Sequence, residues 1–289
     1  MWAFVDGVFV QDRDAVVSVH DRGFRYGDGV FDTLRVYRGQ PFLIERHLAR
    51  LIDGATAVGI APLPTASALA STVRDLIDRN EIAEALVRTT VTRGVSTGWD
   101  ARHAGDPTVV IVEQPFAGYP DQLYRSGASI VILANTRLRP SALTPSAKSL
   151  SLLAHVQAKR DATDHGADEA VLCTESGSVA EGTVSNVFCV KNGRLHTPPL
   201  SDGILQGITR EVVLGLARRD KIETVEDRVT PDELRTADEV FLTSTGMEVM
   251  PVTRADGRPV GTGHPGPITL ALRRGYQEMV RETLESRTL

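Results

Sequence analysis

The chain has 289 residues, of which 42% are hydrophobic and 24% are charged. This length is enough for a large core in two domains, and the composition excludes a disordered or fibrous protein. The formal net charge of −5 offers no basic surface to nucleic acid or to an anionic membrane, so a small molecule is the expected partner.

The two cysteines and the N-terminus bear on where the protein works. Cys173 and Cys189 lie in apolar stretches without the paired spacing of metal ligands, which predicts reduced thiols and no metal site. The start Met-Trp-Ala-Phe-Val-Asp has neither the basic nor the apolar region of a signal peptide, and no run approaches the roughly 20 apolar residues of a membrane span. We therefore expect a cytoplasmic protein.

The N-terminal part of the chain begins with sheet. Alternating apolar and polar residues, with a turn at Asp6-Gly7, predict strands over 2–10, 14–19, Val30–Tyr37, Leu86–Arg93 and Thr108–Glu113. Apolar residues at helical spacing predict helices over Leu43–Val58 and Ala66–Arg79. Turn residues at Ala117–Asp121 then indicate a domain connection.

The C-terminal part mixes both kinds of element. Strands are expected near Ser129–Ala134, Glu169–Cys173, Asn186–Lys191 and Val240–Thr243. Helices are expected over roughly Ser149–His165 and after Gly207, Pro231 and Pro267. The result is an α+β fold in two lobes, with an N-terminal α+β domain at 1–117, a linker at 118–124 and a C-terminal α/β domain at 125–289.

Lys148 lies in the otherwise uncharged run Thr144–Leu153, where an irregular segment is expected to enter a helix. Apolar neighbours and the positive end of a helix would both lower the pKa of its amine. A neutral lysine is the nucleophile that forms an imine with an aldehyde. Taken alone, the residue is equally compatible with a solvated surface lysine.

Three segments have features of an anion site. In Leu205–Arg210 a glycine precedes a helix whose first amides, at Ile208 and Thr209, would point outward; they either bind a phosphate or, as at most helices preceded by glycine, bind nothing. The strand end Phe241–Gly246 carries hydroxyls and a glycine, which fit either a phosphate loop or a simple turn. Arg50, three residues after His47 on a helix, could add a permanent cation or form a surface ion pair.

Glu181 stands beside a glycine between two apolar strands. It is either a solvated hairpin charge or a carboxylate that keeps a pyridine ring nitrogen protonated. The spacing alone does not choose between these interpretations.

Six segments carry a resemblance that joins these features, and they occur in the same order as in the family concerned: 21–31, 47–51, 148–153, 181–188, 197–210 and 243–246. Together they resemble the class IV aminotransferases, the pyridoxal-phosphate enzymes of fold type IV. The resemblance covers nearly the whole chain and implies a two-lobed, D-amino-acid aminotransferase-like fold that holds pyridoxal 5′-phosphate between its lobes, with most of the cofactor site in the C-terminal domain. It also implies a homodimer whose partner chain completes each site.

The same resemblance assigns roles to individual residues. Lys148 would be the Schiff-base lysine and proton carrier, Glu181 would meet the ring nitrogen, and Leu205 would pack on the ring. The residues that would hold the phosphate end of the cofactor are Arg50, Ile208, Thr209, Ser244 and Thr245. The implied reaction is a ping-pong transfer of an amino group between an amino acid and a keto acid.

Three activities share this scaffold, so the substrate has to be predicted from other residues. Lys-Ser-Leu-Ser-Leu-Leu at 148–153 is similar to the segment of D-amino-acid transaminases, which predicts a D-amino acid as the donor, with R-amines as further donors. Branched-chain L-amino-acid transamination and aminodeoxychorismate lyase activity are the alternatives. A cofactor-carrying protein without turnover is a further alternative, which the presence of both Lys148 and Glu181 disfavours.

The substrate pocket departs from the D-enzyme pattern. Arg102 and His103 are adjacent where those enzymes have an Arg-x-His carboxylate trap, and Phe31 replaces a tyrosine. Arg25, Arg88 and Arg102 could each bind a substrate carboxylate with a forked pair of hydrogen bonds, or could form ion pairs instead. The expected substrate residues are Arg25, Tyr26, Phe31, Arg88, Arg102 and Gly246, with the loop around Arg25 and Tyr26 reaching the partner's site.

Overall fold

The computed structural model describes residues 1–138 and 147–286. These residues form two compact units, the first comprising residues 1–117 and 147–152 and the second residues 118–138 and 153–286. Both units contain helices and strands, which confirms the predicted α+β class. No helix in the described ranges is both long and apolar enough to cross a membrane.

The first unit is built on one antiparallel sheet. Its strands are β1 (Trp2–Val5), β2 (Val8–Gln11), β3 (Gly29–Tyr37), β4 (Gln40–Pro41), β5 (Ala85–Thr92) and β6 (Val109–Pro115). They lie in the order β2-β1-β6-β5-β3-β4. Its helices are α1 (Arg22–Tyr26), α2 (Ile44–Ala57) and α3 (Ala66–Asn80).

The two faces of β3 have different neighbours because successive side chains of a strand point to opposite sides. Val30 and Leu34 belong to the core that α2 and α3 cover. Phe31 and Thr33 point to the other face, where they stand opposite Thr90 and Arg88 of β5. This second face carries the candidate pocket described below.

One predicted strand of the first unit is wrong. Residues 14–19 form no strand, and a 3₁₀ turn over Asp12–Asp14 follows β2 instead. Val16, Val17 and Val19 are all exposed. Their alternation with polar residues therefore does not mark a half-buried strand.

The second unit contains a nine-stranded mixed sheet within the described residues. Its strands are β7 (Ala128–Leu138), β8 (Glu169–Thr174), β9 (Val179–Gly182), β10 (Asn186–Lys191), β11 (Arg194–Thr197), β12 (Thr224–Glu226), β13 (Glu239–Ser244), β14 (Glu248–Ala255) and β15 (Arg258–Pro259). The order is β12-β11-β10-β13-β14-β7-β8-β9, with β15 paired to β14. The helices are α4 (Asp121–Ser126), α5 (Leu153–Asp164), α6 (Ile208–Arg219), α7 (Pro231–Arg235) and α8 (Pro267–Glu285).

The segment around Lys148 differs from its prediction. Helix α5 begins at Leu153 rather than near Ser149, because Ser149 forms an antiparallel bridge with Val30. Residues 147–152 therefore pack with the first unit, although the sequence placed them in the second domain. Helix α4 begins within the stretch 118–124 that we predicted as a linker.

Candidate active site

Lys148 is held against the edge of β3 by backbone hydrogen bonds. The Phe31 N–H donates to the Lys148 carbonyl over 2.9 Å, and the Leu150 N–H donates to the Gly29 carbonyl over 3.0 Å. The Lys148 Nζ lies 4.8 Å from the centroid of the Phe31 ring. Helix α5 begins at Leu153, five residues after Lys148, so the helix start that we predicted next to this lysine is wrong.

Arg88 packs against the same aromatic ring as Lys148. Its Cζ is 3.6 Å from the Phe31 centroid, and its Nε donates to the Thr90 hydroxyl over 3.4 Å. Among the described residues no carboxylate pairs with Arg88. Burial lowers the pKa of Arg88, as expected for a cation that has left water without gaining an anion. The first unit thus brings Lys148, Phe31 and Arg88 together.

Arg50 is fixed by a buried carboxylate on the opposite face of β3. Its Nε and Nη2 donate to the two oxygens of Asp32 over 2.8 and 2.9 Å, and His47 Nδ1 donates to Asp32 Oδ1 over 2.7 Å. Burial opposes ionisation of Asp32, but the charges and hydrogen bonds of Arg50 and His47 outweigh it and hold the pKa of that carboxyl well below its usual range. Burial lowers the pKa of His47, although the Asp32 carboxylate opposes this shift.

Glu181 of the second unit is joined to the loop that precedes α6. Its Oε2 accepts from the Leu205 N–H over 2.9 Å and from the Asn186 side-chain amide over 3.4 Å. The same amide donates to the Leu205 carbonyl over 2.9 Å. Asn186 therefore sets the position of Leu205 relative to the Glu181 carboxylate.

The start of α6 leaves its first amides available. The residue before the helix is Gly207, which provides no side-chain cap, and a Cβ there would lie 2.0 Å from Asn186 Oδ1. No described residue accepts a hydrogen bond from the N–H of Ile208 or Thr209. An anion placed at this helix start would accept from these donors and be stabilised by the helix dipole.

The turn between β13 and β14 lies beside Asn186, because Asn186 pairs with Thr243 in the sheet. Ser244 accepts from the Met247 N–H over 3.2 Å, which closes the turn around Thr245 and Gly246. The second unit therefore gathers Glu181, Leu205, the start of α6 and this turn at one end of β10 and β13.

Of the remaining predicted residues, Arg25 and Tyr26 lie on α1, and Arg102 lies in a 3₁₀ turn over Ala101–His103 of the same unit. Arg25 Nη1 donates to the Ser96 carbonyl over 3.1 Å, and the Tyr26 ring packs edge-on against Trp99 at 5.0 Å. Arg102 is exposed, and its guanidinium forms three hydrogen bonds to the Asp100 carboxylate. The structure thus places Arg102 in a surface ion pair.

The model of the family described as "Amino-transferase class IV" matches residues 29–255 of this chain. The chain belongs to the class IV aminotransferases. This confirms the family predicted from the six sequence segments.

Similar proteins include both branched-chain and D-alanine aminotransferases. A "Putative branched-chain-amino-acid aminotransferase" from Methanocaldococcus jannaschii is 40% identical, covering 96% of each chain. A "D-alanine aminotransferase" from Bacillus licheniformis is 36% identical, covering 97% of each. Among solved structures, a branched-chain aminotransferase from Thermoproteus uzoniensis with norvaline superposes with a TM-score of 0.90 at 32% identity, covering 97% of this chain and 94% of that one.

This class IV aminotransferase uses pyridoxal phosphate and acts on amino and keto acids. Its residues fit that cofactor in each unit. The first unit presents the Lys148 amine beside an aromatic ring. The second presents the uncapped amides of α6 after a glycine whose missing Cβ makes room for the Asn186 side chain, together with the Glu181 carboxylate. No cluster of metal-ligating side chains occurs in the part of the chain that the structure describes.

Sequence reasoning missed two residues that organise the site of this aminotransferase. Asp32 is a charge within the apolar strand β3, and Asn186 begins an apolar strand. A carboxylate in a strand that is otherwise buried indicates a paired cation, and His47 and Arg50 were the available candidates. The role of Asn186 had no comparable signal, because its contact with Leu205 spans 19 residues.

Proposed function

We propose that this aminotransferase moves the amino group of a D-amino acid to a 2-keto acid, with R-amines as further donors. The observation that carries this proposal is Arg88, a cation without a carboxylate among the described residues, on the sheet face that also holds Phe31 and the Lys148 amine. A substrate carboxylate at this place would supply the missing counter-charge.

The chemistry of Arg88 favours recognition of a carboxylate over recognition of an apolar side chain. A guanidinium presents paired N–H donors that match the two oxygens of a carboxylate. Packing a branched aliphatic chain against it would remove more water from an unpaired charge, which is unfavourable. Arg88 would therefore bind the substrate carboxylate, with Phe31 on the same pocket face.

The donor's handedness is supported by sequence. The segment Lys148–Leu153 is Lys-Ser-Leu-Ser-Leu-Leu, which is similar to the segment of D-amino-acid transaminases. The relative from Bacillus licheniformis is named a D-alanine aminotransferase, and its similarity to this chain covers 97% of its length.

Each predicted cofactor residue has a task in this proposal. Pyridoxal phosphate supplies an electron sink when the bond to the α-hydrogen breaks. As a neutral amine, the Lys148 Nζ would take the α-proton of the donor and pass it to the cofactor carbon. In the second half-reaction it would move a proton from that carbon to the α-carbon derived from the keto acid. Glu181, held by the Leu205 N–H, would keep the ring nitrogen protonated. The phosphate group would be held by Arg50, Ile208, Thr209, Ser244 and Thr245.

We also propose that the enzyme is a homodimer. Phe24 and Trp99 expose 75% and 80% of their surface, and Val16 exposes 78%. Arg22 joins α1, which carries Phe24, to the segment of Trp99 by donating to the Gly98 and Trp99 carbonyls over 3.0 and 3.1 Å. Large exposed apolar side chains on adjoining loops are typical of a subunit interface. The neighbouring loop around Arg25 and Tyr26 would then reach the partner's site.

Light scattering coupled to size exclusion tests the dimer. We expect the mass of two chains for the wild type and a shift towards one chain for Phe24→Asp. The control Val8→Asp changes another exposed apolar residue, 58% accessible, and should remain dimeric. A wild-type protein with the mass of one chain would contradict the proposal.

Branched-chain L-amino-acid transamination is the second candidate, because the Methanocaldococcus jannaschii relative is 40% identical. A titration of the holoenzyme separates the two candidates. D-alanine, L-leucine and (R)-1-phenylethylamine are added separately while the visible absorbance of the lysine-bound cofactor is recorded. Bleaching by D-alanine and not by L-leucine is the expected result. Bleaching by L-leucine alone would contradict the D-amino-acid proposal and support branched-chain L-amino-acid transamination.

A further inference from the structure

The second unit contains a cavity of about 400 Å³ that involves none of the residues assigned above. Its lining is shared by α4, α8 and the residues before α8: Asp121, Tyr124, Arg125, Pro265, Leu270 and Arg273. Cavities of this size accommodate small organic ligands.

Arg273 is the most unusual residue of the lining. Its guanidinium lies 4.4 Å from the centroid of the Tyr124 ring, and its Nε is buried without a hydrogen-bond acceptor. No described residue accepts a hydrogen bond from Arg273 or forms an ion pair with it. Buried polar groups in folded proteins normally have such acceptors, so this guanidinium is poised for an external anion.

The other residues of the cavity indicate what kind of anion would fit. Arg125 adds a second guanidinium, whose contact with Asp121 is long, at 3.9 Å, and exposed, so that it holds Arg125 weakly. Two arginines and one aspartate leave the lining with one positive charge. Pro265 and Leu270 supply an apolar wall, with Leu270 one helical turn before Arg273 on the same face of α8.

We propose that this cavity is an accessory binding site for a small organic monocarboxylate with an apolar body. The carboxylate would pair with the Arg273 guanidinium, helped by Arg125, and the apolar body would pack on Pro265 and Leu270. Tyr124 connects the cavity to the predicted cofactor region, because its hydroxyl donates to the Met247 carbonyl over 3.1 Å and the Met247 N–H donates to Ser244.

Binding of 4-bromobenzoate to the holoenzyme tests this inference by calorimetry. Arg273→Met should weaken the affinity at least tenfold, whereas Arg274→Met, which removes the next and exposed arginine of the same helix, should change it less than twofold. The neutral 4-bromobenzamide should bind at least tenfold more weakly than the carboxylate. Both variants keep the substrate site, so any binding of 4-bromobenzoate there is the same in each. The difference in affinity between Arg273→Met and Arg274→Met therefore reports on the cavity alone.

A crystal soaked in 4-bromobenzoate provides an independent measurement. An anomalous bromine peak is expected beside Pro265 and Leu270. If Arg273→Met does not fold, Arg273→Lys replaces it, and the loss of the forked hydrogen bonds should still weaken binding severalfold. Equal affinities of the wild type and the Arg273 variant, or bromine found only at other places, would overturn the proposal.

Discussion

Arg88→Met is expected to reduce amino transfer from D-amino acids without harming the rest of the catalytic apparatus. Methionine keeps an unbranched chain over the Phe31 ring but removes the cation that lies 3.6 Å from its centroid. Losing one side of a desolvated charge pair costs about 2–5 kcal/mol, and the partial exposure of Arg88 places the expected loss near the lower end, at about 2–3 kcal/mol. At about 1.4 kcal/mol per tenfold, kcat/KM for D-alanine should fall by roughly 30- to 150-fold.

The assay compares two donors in the same enzyme preparations. (R)-1-phenylethylamine has no carboxylate, so its kcat/KM should stay within about threefold when Arg88 is changed, on the scale of a fraction of one kcal/mol. Arg102→Met is the matched control, because Arg102 is bound to Asp100 at the surface. Arg88→Lys keeps the charge but loses the fork, and should fall between wild type and Arg88→Met. Equal losses for both donors, or no loss with D-alanine, would refute this role of Arg88.

Three further changes test the other parts of the site. Lys148→Ala should abolish both transamination and the absorbance of lysine-bound cofactor, whereas retained turnover would remove Lys148 from the mechanism. Gly207→Ala would place a Cβ 2.0 Å from Asn186 Oδ1, and should weaken pyridoxal phosphate binding at least tenfold in a fluorescence titration. Gly215→Ala is the control, because it changes a glycine of α6 with open space around it, and it should leave the affinity unchanged. Asp32→Asn should lower the free energy of unfolding by about 3 kcal/mol in urea, since it removes the buried carboxylate that pairs with the Arg50 guanidinium. The pKa of Asp32 is lower in the folded protein than in the unfolded chain, so its contribution to stability is present above the unfolded pKa of about 3.9 and is lost as the pH falls below it. The wild type should therefore lose more stability than the variant between about pH 5 and about pH 3. Equal losses in the two proteins would contradict this.

The sequence predicted much of the fold because most elements carry a clear period. The apolar spacing of α2 and α3 and the alternation in β5 and β6 arise from burial on one side of each element. The run before α5 has no such period. Ser149 pairs with Val30, a contact between residues more than a hundred positions apart, and this removes the predicted first turn of the helix.

Only part of the candidate site could be predicted, because contacts between residues far apart in the sequence leave no local pattern. The glycine before α6 and the lysine at 148 are visible as single residues in unusual surroundings. Asp32 and Asn186 act through other side chains, so their importance depends on distances that the sequence does not contain. Our proposal assigns the substrate carboxylate to Arg88, whereas from the sequence three arginines were equivalent candidates; the structure distinguishes them by placing Arg102 with Asp100 and Arg25 with Ser96.

Because side chains alternate along β3, neighbouring residues of this strand serve different purposes: one face supports Arg50 and the other lines the candidate pocket. Asp32 faces α2 and fixes Arg50, whereas Phe31 and Thr33 face the side on which Arg88 lies. Changes at 31, 33, 88 and 90 can therefore reshape the pocket without disturbing the support of Arg50. A library randomised at these four positions would sample donor preference in a scaffold that keeps its fold, while a single-residue deletion within the strand would exchange the two faces and destroy both.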